Sequence, residues 1–388
     1  MSGSLPLSIK LQFSTEDWER VRRDWLAWWA GELDRPIVVI DSPVPSLARA
    51  RWFTAEFGLD TPVDEVLDHY QTNLEARRFF GDAYPRYHPN LGPGVLAAFL
   101  GAEVHPAEGV TVWFSPLSKG PISDLHLGYD PHNLWWRRAQ EIIGGAAQRW
   151  GSRVTVGMTG LGGNLDTLAS LRTTQQLLFD LLDTPEEVDR LVGEITRLWL
   201  RYYEELRALM APEAGMFHWA DMWCPGRTYM LQCDLSVMLS PRMFERFVLP
   251  DLAACCQALD FAFYHLDGEG QIPHLDMLLA LERLRGVQWV PSRAGPPPEE
   301  CLPLLQRIRA NGKLCQLFVS SQGALKIVRE LGGKGFAFSI REKMDEADAQ
   351  DLLRTLAAGD AGRLPAYRHA GSAVPRPATG DASVGGAG

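Results

Sequence analysis

The residues best equipped for chemistry lie together in the run His265-Leu266-Asp267-Gly268-Glu269, at the end of the apolar stretch Phe261 to His265. Alternate residues of a strand share a face, so His265 and Asp267 are expected to point the same way. An imidazole beside carboxylates suits a divalent ion, zinc or another, and suits a general acid–base pair equally well. An Asp-Gly turn with a histidine bonded to nearby backbone is the competing structural reading. A second group lies in the loop from His218 to Asp234, with Asp221, Trp223, Cys224 and Arg227. His218 and Cys224 are possible metal ligands, although their spacing matches no standard zinc motif. Arg227 could fork onto a carboxylate or hold the loop by an ion pair, and Trp223 could wall a pocket. A third group is the glycine-rich turn Gly160 to Asp166, where Asn164 and Asp166 are candidate rim contacts. Arg341 follows the last apolar strand and could anchor an acid. The candidate catalytic residues are therefore His265, Asp267, Glu269 and Asp221. Arg227, Arg341, Asn164, Asp166 and Trp223 are expected at substrate, and His265, Asp267, His218 and Cys224 at metal.

Elements that would place these residues alternate regularly from Arg153 onward. Strands are expected over Arg153 to Thr159, Gly215 to Trp219, Phe261 to His265, Val287 to Val290, Lys313 to Val319 and Gly335 to Ile340. Helices are expected between them, among them Pro185 to Met210 and Ile272 to Leu284. Asp183-Thr184-Pro185-Glu186-Glu187 carries the cap, proline and acids of a helix start. Pro36 to Ile40 is a further strand, and Val110 to Phe114 a candidate one. Such alternation implies a parallel sheet covered by helices, with ligands at the carboxyl ends of the strands. The expected fold is an α/β (β/α)8 TIM barrel over residues 1–362. Residues 1–150 would supply an N-terminal helical cap, insertions and the first strand, and 151–362 the regular units. Helices are expected over Thr15 to Leu33 and Thr61 to Phe80, and a disordered tail over 363–388.

Composition bounds the rest. The chain has 388 residues, 46% of them apolar, which is enough for a full core. A net charge of −10 argues against wholesale nucleic-acid binding. No apolar run reaches the ~18 residues of a membrane span, and MSGSLPLSIK lacks the pattern of a signal peptide. Six scattered cysteines with no CxxC pair fit reduced thiols in the cytoplasm. No GxSxG elbow, P-loop or HExxH is present.

The order of three segments resembles the uroporphyrinogen decarboxylase superfamily. These are LLFDLLDTPEEVDRLV (Leu177 to Val192), LSPRMFERFVLPDL (Leu239 to Leu252) and FYHLDG (Phe263 to Gly268). The resemblance spans roughly Arg153 to Ala358. It implies a barrel enzyme, often a homodimer, with its site in the funnel at the strands' carboxyl ends. Its decarboxylase branch carries an arginine-rich motif where this chain has RPIVVIDSPVPS (Arg35 to Ser46). Its zinc methyltransferase branch uses His-x-Cys and a distant Cys. Here His265 matches the histidine, Asp267 stands at the first Cys position, and no Cys occurs near Ser339 to Arg341. The resemblance thus implies a metal-assisted methyltransferase with a harder His/carboxylate site. The substrate would be a corrinoid or a methylated small molecule, and a corrinoid protein a partner. Decarboxylation of a small carboxylated substrate, and a non-catalytic ligand-binding barrel, are the competing expectations.

Overall fold

The computed structural model describes residues 9–43, 51–107, 109–116 and 120–359. The tail expected over 363–388 lies outside them, as do residues 1–8. The strands are β1 (Ile37–Pro43), β2 (Arg77–Gly81), β3 (Arg86–Tyr87), β4 (Glu103–Ala107), β5 (Thr111–Ser115), β6 (Thr155–Val156), β7 (Thr228–Leu231), β8 (Phe261–Asp267), β9 (Leu284–Val290), β10 (Leu314–Val319) and β11 (Phe336–Ile340). One sheet runs β2-β1-β11-β10-β9-β8-β7. All its pairings are parallel except β1 with β2. Beyond β1, single backbone bonds carry the sheet on: Asp82 N–H to Val38 O, then the β3–β6 ladder, then Met158 N–H to Phe217 O. The fold is α/β with a parallel sheet, an arrangement compatible with a (β/α)8 barrel.

Several expected elements take another form. The helix expected over Thr61 to Phe80 ends at Glu75, and β2 follows it, pairing antiparallel with β1. The Val110 to Phe114 candidate falls in β5, which forms a hairpin with β4 apart from the parallel sheet. Gly215 to Trp219 forms no regular strand; it makes the isolated bridge Met216–Cys224 and accepts the Met158 N–H at Phe217 O. The helix expected over Ile272 to Leu284 shrinks to a 3-10 turn, Glu269–His274, and a short helix, Leu275–Leu279. Pro273 lies inside that turn and supplies no N–H to a regular helix. β7 lies in a stretch expected to be loop.

Side-chain alternation divides the sheet into two faces. Val38, Leu266, Val287, Leu317 and Phe338 pack in one core with Leu305, Ile327 and Leu352 of the surrounding helices. Ile37, Val39, Met230, Phe263, Leu314 and Ala337 face the other way, onto the helix Thr15–Ala30. Ser14 caps that helix in a capping box with Asp17, and Gly31 ends it in the left-handed conformation. Its Trp28 stacks on Phe263 with centroids 6.2 Å apart and donates from Nε1 to Phe336 O at 3.0 Å. Trp29 lies against Phe261 and donates to Trp223 O at 2.8 Å. Phe261, Phe336 and Leu314 begin their strands, so this tryptophan plug seals the amino end of the sheet. The carboxyl end is left to the polar residues.

Candidate active site at the carboxyl ends of the strands

Continuing each strand by two residues from the plug gives the site. Phe263 leads to His265 and Asp267, Met230 to Gln232 and Asp234, Leu314 to Gln316 and Phe318, Ala337 to Ser339 and Arg341, and Val39 to Asp41. Apolar residues close the bottom, amides and an imidazole form the middle, and charges crown the top.

One ligand atom from each of Asp234, His265 and Asp267 lies within 4.8 Å of the others. His265 is buried at 4% exposure, while Asp267 and Asp234 are half-buried. Nε2 of His265 is 3.8 Å from Asp267 Oδ2. Its Nδ1 is 2.5 Å from Gln288 Oε1, Gln288 Nε2 donates to Gln316 Oε1 at 2.5 Å, and Gln316 Nε2 donates to Ser339 Oγ at 3.1 Å. This chain crosses β8, β9, β10 and β11 in one direction. Because the Gln288 amide spends its N–H on Gln316, its oxygen faces His265. With the amides so oriented, Nδ1 donates to Gln288 and Nε2 is turned to Asp267. Burial disfavours the imidazolium, but the nearby carboxylates of Asp267 and Asp234 outweigh it and raise the His265 pKa. Burial, with the charges of Asp166 and Asp267, pushes Asp234 up to about 7 against the pull of His265.

Two hard carboxylates and one imidazole fit zinc or another first-row divalent ion. Metal bonds of about 2.1 Å hold neighbouring ligands somewhat over 3 Å apart, so binding would draw the three groups inward. A divalent charge would also relieve the mutual repulsion of the acids.

Asp166 positions this group from behind. Its carboxylate accepts N–H bonds from Asp234 at 2.9 Å and Leu235 at 2.8 Å, capping the turn Asp234–Met238. Burial raises its pKa against those bonds. Gly163 permits the approach, since a Cβ there would stand 2.2 Å from Gln232 O. Gly162, at φ +88°, likewise lies against the backbone of Gly94, so these glycines serve chain-to-chain packing.

A cationic group occupies the opposite side. Arg86 donates to Asp221 Oδ1 at 2.9 Å and to Asp41 Oδ2 at 2.6 Å, and Arg77 lies 3.7 Å from Asp41. Arg341 lies 3.9 Å from Asp221, over the Phe318 ring at 4.1 Å. Asp221 has φ +64°, a left-handed backbone that costs a non-glycine residue energy and recurs at functional sites. Burial works against its charge, yet Arg86 and Arg341 keep its pKa below the usual range. The two guanidinium groups thus favour its ionised form. Between the two groups stands Trp219, edge-on to His265 at 4.9 Å and 6.2 Å from Phe318.

Other expected residues do not join the cluster. Arg227 precedes β7 and pairs with Asp260, which precedes β8, at 3.0 Å. Both stand at the amino end, away from the site. Trp223 is buried, donates to Ala214 O at 2.9 Å and belongs to the tryptophan core. Cys224 is buried in the same core, where burial keeps its thiol protonated. His218 is fully buried; its Nδ1 accepts the Ala220 N–H at 3.3 Å, and burial, reinforced by His88, pulls its pKa to about 3. Asn164 is bound to Asp251 and, at 3.0 Å, to Thr196, tying helices together behind the sheet. Glu269 is exposed at the start of its turn. Sequence reasoning passed over Asp234, Gln288, Gln316 and Arg86 as site residues. The polar positions at i and i+2 in Met230-Gln232-Asp234 and Gln288 within β9 were the available signal.

No protein-family model and no curated protein matches the sequence. Among solved structures, a methyltransferase from Methanosarcina mazei is similar at TM-score 0.58 and 12% identity, over 87% of this chain and 98% of that one. The chain has the fold of this methyltransferase. A B12-independent methionine synthase from Shewanella sp. W3-18-1 is similar over 68% of this chain and 74% of that one, at 11% identity. Its TM-score of 0.35 is too low to bear on the site. At 12% identity the likeness to the methyltransferase bears on the fold. No helix among the described residues is long and apolar enough to cross a membrane.

Proposed function

We propose that this chain is a (β/α)8-barrel enzyme of the uroporphyrinogen decarboxylase superfamily that transfers a methyl group with a divalent metal held by Asp234, His265 and Asp267. The observation that carries this reading is the convergence of those three ligand atoms within 4.8 Å at the carboxyl ends of β7 and β8. A metal there would lower an acceptor's pKa and favour its nucleophilic form. The chain's own residues do the rest. Gln288 holds His265 with Nε2 turned to the carboxylates. Asp166 fixes the turn carrying Asp234, and Trp219 shields one side of the imidazole from water. The methyl donor would be a corrinoid or a methylated small molecule. Metal analysis of purified protein, incubated with zinc and then desalted, tests the reading, with His265→Ala as control. About one equivalent bound by the wild type and loss in the variant are expected. Equal metal in both, or none in either, rejects it.

A metal-free decarboxylase is the second reading, favoured by Arg86 and Arg341 at the same end. Carbon dioxide release by protein stripped of metal would support it.

A further inference from the structure

The wall between the acidic cluster and the guanidinium group is itself built like a binding surface. Trp219 and Phe318 are half-buried at the upper edge of the tryptophan core, each keeping part of its ring exposed. Their centroids lie 6.2 Å apart with ring planes 32° from one another, so they form one continuous aromatic shelf. The shelf starts against His265 and ends beneath Arg341.

Arg341 is the unusual member. Its side chain is 23% exposed, and no hydrogen bond from its guanidinium is seen among the described residues. Its nearest carboxylate, Asp221, is 3.9 Å away and is already hydrogen-bonded by Arg86 at 2.9 Å. Asp41 is likewise bonded by Arg86, with Arg77 3.7 Å away. Three guanidinium groups thus face two carboxylates. Arg341 is left with a planar fork of donors and one distant ion pair. A guanidinium so placed pairs best with a carboxylate, which it can grip with two parallel bonds. The flat rings beneath it favour a flat body.

We propose that the Trp219–Phe318–Arg341 surface is a seat for a small planar organic acid, its carboxylate on Arg341 and its ring or conjugated body on the shelf. The seat deepens the functional reading by naming a substrate class, but it needs no metal. The two ideas can therefore fail separately.

The test titrates full-length, metal-stripped protein with benzoate and with its neutral isostere benzamide, at low ionic strength, by calorimetry or ligand-observed NMR. Benzoate is expected to bind at least about tenfold more tightly than benzamide, a difference of about 1.4 kcal/mol, because only the anion forms a charge-assisted pair with the guanidinium. Arg341→Gln should weaken benzoate by about the same factor. Arg341→Lys, which keeps the charge near Asp221 and so protects folding, should give an intermediate loss. Phe318→Leu should weaken benzoate while leaving acetate binding unchanged. Equal binding of benzoate and benzamide, no binding of either, or an Arg341→Gln or Arg341→Lys variant that binds benzoate as the wild type does, would overturn the proposal.

Discussion

Nδ1 of His265 lies 2.5 Å from Oε1 of Gln288, on neighbouring strands in direct register. The contact decides what the histidine can do. A ring tethered through Nδ1 offers Nε2, and only Nε2 points at Asp267. Gln288 is itself oriented by Gln316, and Gln316 reaches Ser339, so the imidazole is locked by a four-strand polar layer. Gln288→Leu is expected to lower zinc affinity about 10- to 100-fold, the usual effect of losing a metal ligand's supporting partner. It should also cost about 1–3 kcal/mol of stability, because buried His265 and Gln316 lose a partner. Zinc titration against a chromophoric chelator and urea unfolding read the two effects.

Asp166 acts on the site through Asp234. Asp166→Ala removes the acceptor for two backbone N–H groups and should destabilise by about 1–2 kcal/mol, as loss of a helix cap does. With its turn loosened, Asp234 should bind metal more weakly. Asp166→Asn keeps one acceptor oxygen and should fall between Asp166→Ala and wild type in both thermal midpoint and zinc affinity.

Asp251 makes folding sensitive to pH. It is buried with Asn164, Thr196 and Cys255 around it, and burial pushes its pKa from 3.8 to about 7. Between those values the folded chain keeps a proton that the unfolded chain releases. Stability must then fall as pH rises from about 4 to about 7, and stay lower above that. Asp251→Asn, unable to ionise, should flatten this slope and gain relative to wild type at alkaline pH. Urea unfolding of both proteins at about pH 5 and about pH 8 checks the sign. A wild-type slope retained in the variant would place its origin in another group.

Arg227 and Cys224 make the contrasting prediction. The Arg227–Asp260 pair is about two-fifths exposed, so Arg227→Ala should change stability by no more than about 1 kcal/mol. Cys224→Ala opens a small core void, and about 1 kcal/mol is expected from it. Neither should alter zinc affinity. A loss of metal in Cys224→Ala would show a thiolate ligand and so a different site.

The carboxyl-end location of the site was legible because strand periodicity is local. His265 and Asp267 share a face by backbone geometry alone, and the polar break after Phe263 and Tyr264 marks where the apolar plug stops. Arg227 misled for a related reason. It adjoins a strand in a loop rich in reactive side chains, but without β7 the end of the strand to which it belonged could not be assigned. Trp223 is a pocket wall and Cys224 a metal ligand by sequence alone, and the tryptophan helix Thr15–Ala30, some two hundred positions earlier, makes both of them core.

By itself the sequence determined strands over Phe261 to His265, Lys313 to Val319 and Gly335 to Ile340, within two residues of those observed, the tryptophan-rich amphipathic helix and the pairing of one imidazole with one acid. Those depend on periods of two and about 3.6 residues, and neighbouring residues carry them. Only the tertiary structure decided that Asp234 completes the cluster, that Gln288 orients the imidazole, and that Arg86 binds Asp221 and Asp41 together. These are contacts between strands whose register is set by packing on both faces of the sheet, and no local pattern encodes them.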